Sequence, residues 1–331
     1  MLYGLVLRIR HLFYDKGWAK SIRPSVASVC VGNITAGGTG KTPHTEMILR
    51  LLVAAGKQPS VLSRGYKRKS KGFHLVPANG SAALYGDEPV QIAHKFPGLA
   101  VGVDKNRVHG CEALAGTDVV VLDDAYQYRK LSAHLNIVLV DYNHPVHKDR
   151  LLPWGHLRDL PERLGKAQVV ILTKCPDYMD EWERSQWRKS LKLGKEQKLF
   201  FTTLRYCQPE PVFPEGDRHY LYARQVTLVT GIANDAPLRR YLSDTYKMGR
   251  RIQFPDHHNY TRGDVRTLLG AVKEMPTACL MTTEKDACRL RDVKDMPMEL
   301  RQRLFYVPIE AAFLSEKEEA DFSALLLAAV E

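Results

Sequence analysis

The chain has 331 residues, 44% hydrophobic and 26% charged, which describes a folded globular protein of about two domains and excludes a disordered one. Its 48 Lys+Arg against 37 Asp+Glu leave a formal charge of +11, an excess that favours anionic partners: nucleotides, nucleic acid or acidic membrane headgroups. No window reaches the roughly 18 consecutive apolar residues of a spanning helix.

Near the N-terminus, Leu2, Leu5, Val6, Ile9, Leu12 and Phe13 recur at helical spacing, with Arg8, Arg10, His11, Lys16, Lys20 and Arg23 among or just after them. This run, residues 2–14, is too short and too interrupted by charge for a signal-peptide core. It reads as a basic amphipathic helix that either lies in a membrane interface or packs on its own domain.

Short Val/Ile/Leu-rich runs then alternate with helical segments. Candidate strands are Val26–Val31, Pro59–Ser63, Leu99–Val103, Asp118–Leu122, Leu135–Asp141 and Gln168–Thr173. Their apolar character is that of strands buried on both faces, which predicts an α/β fold with a largely parallel sheet flanked by helices. The charged stretch Asp180–Lys198 predicts a surface helix, and the Pro-containing run Cys207–Gly216 a connector. Gln225–Gly231, Ala278–Thr282 and Leu304–Ile309 predict further strands, so that residues 1–214 form one domain and 215–331 a second, smaller α/β domain. Six scattered cysteines with no Cys-x-x-Cys pair argue against a zinc site or a disulfide framework, and for a reducing, cytoplasmic compartment.

The first candidate strand runs into Thr35, Ala36, Gly37, Gly38, Thr39, Gly40, Lys41 and Thr42, followed by a predicted helix over Thr45–Ala55. Glycines let backbone N–H groups wrap an anion, and the helix N-terminus adds a favourable dipole. The spacing is that of a P-loop for ATP, with Lys41 on the β/γ-phosphates and the Thr42 hydroxyl on Mg²⁺. Thr35 stands where the usual pattern has glycine. At the end of Asp118–Asp124, Asp123 and Asp124 supply the strand-end carboxylates that hold Mg²⁺ directly or through water.

For the acceptor, Gly86-Asp-Glu-Pro89 places Asp87 and Glu88 in a turn, and Phe254–Tyr260 brings His257 and His258 from the second domain. A carboxylate paired with an imidazole suits removal of a proton from a sugar hydroxyl; each motif taken alone also reads as a turn or a polar cluster.

Taken together these motifs resemble the tetraacyldisaccharide 4′-kinase family, the lipid A 4′-kinases of Gram-negative bacteria. The resemblance rests on Gly32–Pro43, Ser63-Arg-Gly-Tyr66, Gly86-Asp-Glu-Pro89, Leu122–Gln127, Leu152–Arg158, Phe254–His258 and Thr283-Glu-Lys-Asp-Ala287, in that order along the chain. It implies a P-loop NTPase-like fold of two α/β/α domains around a nucleotide cleft, with ATP and Mg²⁺. The implied reaction moves the γ-phosphate to the 4′-hydroxyl of a tetraacylated glucosamine disaccharide 1-phosphate, giving lipid IVA.

By the same resemblance Asp87 is the catalytic carboxylate with His257 as its partner, and Asp123 and Asp124 lie near Mg²⁺ and that histidine. Lys41 and Asp124 join the catalytic set, while Glu88, Arg107, Arg158 and Asp159 lie near substrate or nucleotide phosphates. The family commonly carries Glu where this chain has Asp159. Thr35 becomes a mark of the family, whose members are similar there.

An acylated acceptor stays in its bilayer, so the resemblance places the enzyme peripherally on the cytoplasmic face of the inner membrane, docked through residues 2–14 on an anionic surface. No nucleic-acid partner and no obligate protein partner are expected. A GTP-hydrolysing regulator is disfavoured because Thr173-Lys-Cys-Pro176 lacks the Asp that reads guanine. A basic binding module leaves the phosphate loop unexplained.

Overall fold

The computed structural model describes residues 2–331. In chain order the strands are β1 (Ala27–Asn33), β2 (Pro59–Ser63), β3 (His74–Leu75), β4 (Ala100–Val103), β5 (Val119–Asp123), β6 (Leu135–Asp141), β7 (Val169–Thr173), β8 (Lys198–Tyr206), β9 (Glu210–Pro211), β10 (Gln225–Thr230), β11 (Lys247–Gln253), β12 (Cys279–Thr283), β13 (Leu304–Val307) and β14 (Ile309–Phe313). The helices are α1 (Leu2–Asp15), α2 (Lys41–Ala54), α3 (Ala82–Tyr85), α4 (Asp87–Lys95), α5 (Arg107–Ala113), α6 (Glu181–Ser190), α7 (His219–Tyr222), α8 (Ala236–Ser243), α9 (Arg262–Glu274), α10 (Glu284–Arg291), α11 (Met298–Arg303) and α12 (Glu316–Ala328).

β5 and β7 are buried along their whole length, as their unbroken branched residues require in a sheet covered on both faces. They belong to a nine-stranded sheet in the order β14-β8-β7-β6-β1-β5-β2-β4-β3. All its pairings are parallel except the two at the edges, β14 on β8 and β3 on β4. One apolar layer, with Ile48, Leu49 and Leu52 of α2 and Phe322 of α12, covers one face. A second layer around Leu62, Leu122, Val138 and Val170 covers the other. A smaller sheet, in the order β11-β10-β12-β13-β9, has its own cores on both faces.

The sheets divide the chain differently from the expected 1–214 and 215–331. β9, inside the stretch read as a connector, already pairs with β13, and after Val307 the chain returns to the large sheet as β14 and α12. The run Leu304–Ile309 is therefore two strands in two sheets, broken at Pro308, whose ring cannot donate to a ladder. Phe313 of β14 and Phe322 of α12 pack with Phe200 of β8 at centroid separations of 6.1 and 5.3 Å, which anchors the C-terminal segment on the first sheet. Asp180–Lys198 ends its helix at Ser190, and Lys198 begins β8.

Along α1, Leu7 and His11 are buried, whereas the stripe Leu2, Leu5, Val6, Ile9, Leu12 and Phe13 points to solvent. The protein-facing side is held by polar contacts: the Tyr3 hydroxyl donates to the Arg158 carbonyl at 2.8 Å, and Arg10 to the Gln127 carbonyl at 2.8 Å. The helix thus packs on its own domain through the face that is less apolar. Trp18, 67% exposed and edge-on to Phe13 at 5.2 Å, extends the outward apolar surface. Among the described residues no helix is long and apolar enough to cross a membrane.

Candidate active site

The register of β1 on β5 pairs Val31 with Asp123, so the start of the phosphate loop and the strand-end acids share one carboxyl edge of the sheet. Ligands of open α/β sheets bind at that edge. Thr35 forms an antiparallel bridge with Leu157; the first position of the loop is thus extended backbone, where a β-branched residue fits and glycine is not needed. Asn33 Nδ2 donates to Thr39 Oγ1 at 2.8 Å, and the Ala36 N–H donates to the His156 carbonyl at 2.6 Å. At the far end Gly40 takes φ 87° and caps α2 with no side chain, leaving the first N–H groups of that helix directed at the loop. Thr42 is buried in the first turn of α2.

Lys41 Nζ lies 3.9 Å from Asp124 Oδ2. Arg158 grips the same carboxylate with both terminal nitrogens, one of them at 3.1 Å, and also bonds Asn33 Oδ1. Burial opposes ionisation of Asp124, but Lys41 and Arg158 outweigh it and hold the group below the usual carboxylate range. Its neighbour Asp123 has the opposite balance. It is 1% exposed and, among the described residues, receives only two long hydrogen bonds, from Thr45 at 3.4 Å and Ser63 at 3.5 Å. Burial, with Glu88 and Asp124 nearby, pushes Asp123 up to about 7.

Two glycines join the Ser63-Arg-Gly-Tyr66 and Gly86-Asp-Glu-Pro89 motifs. A Cβ on Gly86 would come within 3.0 Å of Gly65 Cα, and one on Gly65 within 2.5 Å of the Tyr85 carbonyl; Gly86 also takes φ 97°. Only glycine permits that approach and that backbone. It sets Asp87 at the start of α4, buried, with Tyr66 alongside the ring of His257 at 5.4 Å. His257 Nδ1 is 3.3 Å from Asp87 Oδ2. Its partner in the motif faces elsewhere: His258 Nε2 bonds Asp264 at 2.9 Å, and its ring stacks on Phe254 at 4.6 Å.

Sequence reasoning left Thr283-Glu-Lys-Asp-Ala287 without roles, and its helix α10 proves central. Arg289 donates to Asp87 Oδ2, lies 3.3 Å from His257 Nδ1, and bonds Asp286 and the Gly231 carbonyl at 3.0 Å each. Lys285 donates to Glu88 Oε1 at 2.6 Å. Glu284 reaches Lys95, which also holds the fully buried Glu46 of α2. Burial works against the Asp87 carboxylate, but the His257 hydrogen bond and the charges of Arg289 and Lys285 prevail, holding it far below the usual range. The helical spacing of 285 and 289 on one face of α10 was the available signal for these two cations.

The remaining site residues divide. Arg107 is buried at the start of α5, donating to the Asp104 carbonyl at 2.7 Å; burial draws its guanidinium down, against the pull of Asp123. Arg158 reaches the cleft through Asp124. Asp159 does not reach the cleft: its carboxylate bonds His11 of α1 at 2.6 Å and the Leu160 N–H at 2.8 Å. The adjacent Arg158 and Asp159 N–H groups both bond the Ile34 carbonyl, and that turn aims Arg158 inward while Asp159 braces the N-terminal helix.

The family described as tetraacyldisaccharide-1-P 4′-kinase matches residues 1–331. A tetraacyldisaccharide 4′-kinase of Phocaeicola vulgatus is 39% identical over 330 residues, covering 96% of this chain and 90% of that protein. The protein of the same description from Flavobacterium johnsoniae is 37% identical, covering 98% and 94%. A crystal structure of LpxK from Aquifex aeolicus in complex with ATP superimposes with a TM-score of 0.77 at 27% identity, covering 100% of this chain and 96% of that one.

Proposed function

The chain belongs to the tetraacyldisaccharide-1-P 4′-kinase family, and from that premise we propose how its own residues carry out the transfer. The reaction is that of an ATP-dependent lipid kinase of lipid A biosynthesis: the γ-phosphate goes to the 4′-hydroxyl of a tetraacyldisaccharide 1-phosphate. The observation that carries the assignment of roles is the buried, ionised Asp87 facing His257 across the domain boundary, beside the acids at the loop mouth.

ATP lies across Thr35–Thr42, its phosphates on the loop N–H groups and on Lys41. Asp87 accepts the proton of the 4′-hydroxyl as that oxygen attacks in line, and His257 Nδ1 orients the carboxylate. Arg158 and Lys41 share Asp124, and either cation can turn from it to a phosphate oxygen. Glu88 holds Lys285, so the acid assigned to substrate acts through that lysine.

The residues present fit Mg²⁺. Among the described residues Asp123 is a buried carboxylate that makes no ion pair, with its pKa raised chiefly by burial, and Thr42 supplies a hydroxyl at the head of α2, the set that suits an ion otherwise ligated by phosphates and water. Bound there by Thr42 and Asp123, Mg²⁺ would neutralise charge on the β- and γ-phosphates.

The outward stripe of α1, extended by Trp18, supports docking on the cytoplasmic face of the inner membrane with the acyl chains of the acceptor left in the bilayer. A radiolabelled transfer assay with ATP and the acylated disaccharide 1-phosphate tests the whole reading. Asp87→Ala protein that folds, binds ATP and retains the full rate would remove Asp87 from the role of base.

A further inference from the structure

Three ion pairs join α4, which carries the proposed base, to α10, which carries its counter-ions. Asp87 and Glu88, at the start of α4, meet Arg289 and Lys285 of α10, the second pair at 2.6 Å. At the other end of α4 the signs reverse: Lys95 Nζ donates to Glu284 Oε1 at 3.0 Å. Sliding α4 along α10 would carry Lys95 from that acid towards Lys285, so the alternation of charge specifies the register of the two helices. The first two pairs lie in the transfer site and the third does not. A cleft of about 370 Å³ opens beside the third, lined by Gln91 and His94 of α4 and by Cys288 and Arg291 of α10, so the bridge crosses where apolar side chains do not fill the space.

Lys95 has a second partner. It donates to Glu46 Oε2 at 2.7 Å, and Gln91 Nε2 holds the other oxygen of that carboxylate at 2.8 Å. Glu46 is fully buried on α2, one turn beyond Thr42 of the phosphate loop. Arg50 lies 3.6 Å from Glu46 and is turned to Glu310 at 2.7 Å, which leaves Lys95 as the nearest cation. On the far side Glu284 Oε2 accepts the Ile309 N–H at 3.2 Å, and Ile309 pairs with Tyr206 at the open end of the β8–β14 hairpin. One ammonium group thus links the phosphate-loop helix, the helix of Asp87 and the helix of Arg289.

Replacing a buried charge cluster by packed apolar residues often leaves stability unchanged, so strength is not what such a cluster distinctively supplies. What it supplies here is placement. Lys95 stands at the opposite end of α4 from Asp87, about 12 Å along the helix axis. In-line transfer tolerates little displacement between its parts, a shift of about 1 Å costing up to about 100-fold in rate.

We propose that Lys95 is a positioning residue for the phosphoryl transfer: by holding Glu46 and Glu284 together it sets Arg289 and Lys285, and through them Asp87, against the phosphate loop. The proposal rests on the kinase reading above and adds to it a residue at the back of the site.

The test compares full-length parent protein with K95M, K95R and the triple variant E46Q/K95M/E284Q. The triple variant leaves no buried carboxylate of the cluster without its cation, and so gives folded protein where K95M alone does not. Thermal unfolding of each is recorded beside its kinetics. With ATP and the acylated disaccharide 1-phosphate, kcat of the triple variant should fall about tenfold or more while KM for ATP stays within about twofold. K95R keeps a cation between the two acids and should recover most of the rate lost in K95M.

A triple variant whose kcat stays within about twofold of the parent overturns the proposal, since a purely structural bridge moves only the unfolding midpoint. So does a rise in KM for ATP alone, which would confine the bridge to the phosphate loop, and so does K95R that is no better than K95M. If the parent transfers no phosphate to the disaccharide, the kinase reading fails by itself, and a substrate-free signal decides the positioning. The His257 ring nitrogen lies 3.3 Å from Arg289, and its imidazole resonance is identified by its loss in His257→Asn protein. That resonance should shift in the triple variant and hold its parental position in K95R. An unshifted resonance in the triple variant overturns the proposal.

Discussion

Arg289 of α10 and Asp87 of α4 form a buried ion pair, with His257 Nδ1 3.3 Å from the same carboxylate oxygen. The pair sets both the position and the charge of the proposed base. Replacing Arg289 with Met leaves a buried carboxylate without its main cation, a change that costs about 3–5 kcal/mol of stability. In protein that remains folded, transfer should fall about 100-fold or more in kcat, the scale of losing a positioned proton acceptor. Arg289 helps hold Asp87 ionised, so its removal raises the carboxyl pKa, and the acid limb of the pH–kcat profile should move to higher pH. Arg289→Lys should restore part of the rate. A profile that does not move would leave Arg289 with a purely structural part.

The two histidines of the Phe254–Tyr260 motif should separate cleanly. His257→Asn is expected to lower kcat while leaving the unfolding midpoint within a few degrees. His258→Asn removes the stack on Phe254 and the bond to Asp264, so it should cost about 1–2 kcal/mol of stability and spare the chemistry. Calorimetry with steady-state kinetics distinguishes these outcomes, and the reverse pattern would transfer the catalytic role to His258.

The N-terminal helix requires a different variant from simple deletion. Removing residues 2–14 also removes His11 and leaves Asp159 buried without its partner, so weaker membrane association could reflect a damaged fold. Leu5→Glu/Ile9→Glu changes only the outward stripe. This double variant should keep its unfolding midpoint and lose most of its flotation with anionic vesicles. His11→Ala should do the opposite, destabilising by about 1–3 kcal/mol through the unsatisfied carboxylate. Unchanged flotation of the double variant would dismiss the stripe as the docking surface.

His44 gives the fold a pH limit. It is fully buried on α2, bonded to the Gly40 carbonyl at 2.7 Å and to Thr202 Oγ1 at 2.8 Å, and burial lowers its pKa to about 4 from an ordinary 6.5. The unfolded chain therefore binds a proton between those values that the folded chain refuses. Stability from this residue is complete above pH 6.5 and is lost as pH falls towards 4, by about 3 kcal/mol in all. Urea unfolding at pH 7 and pH 4.5 should show the loss, and His44→Gln should reduce its pH dependence.

Much of this was legible in the chain because the parallel strands are apolar throughout and the loop glycines have a fixed spacing. Pro59–Ser63 and Leu135–Asp141 were bounded to the residue. β11 escaped because Lys247-Met-Gly-Arg-Arg-Ile-Gln253 is an edge strand, mostly exposed and polar, with no periodicity to read. Asp87, His257 and the strand-end acids were identifiable as types of chemistry. Their partners were not, since Arg289 stands 202 residues from Asp87 and only the assembled fold joins them. Asp159 shows the converse: its neighbour Arg158 points into the cleft, and one residue further along the turn the direction reverses.

The return of the chain through β14 has a consequence for modularity. Cys207 and Pro308, the points where the chain leaves and re-enters the large sheet, are themselves hydrogen-bonded at 2.9 Å, just beyond the paired Tyr206 and Ile309. The smaller unit is therefore a cassette carried at the tip of a hairpin. Its two connections run side by side, so the unit can be removed without breaking a strand of the large sheet. Replacing residues 208–307 by a short turn should leave a self-standing nucleotide-binding body, whereas cutting at 214/215 would strip β8 of its edge neighbour and leave neither piece whole.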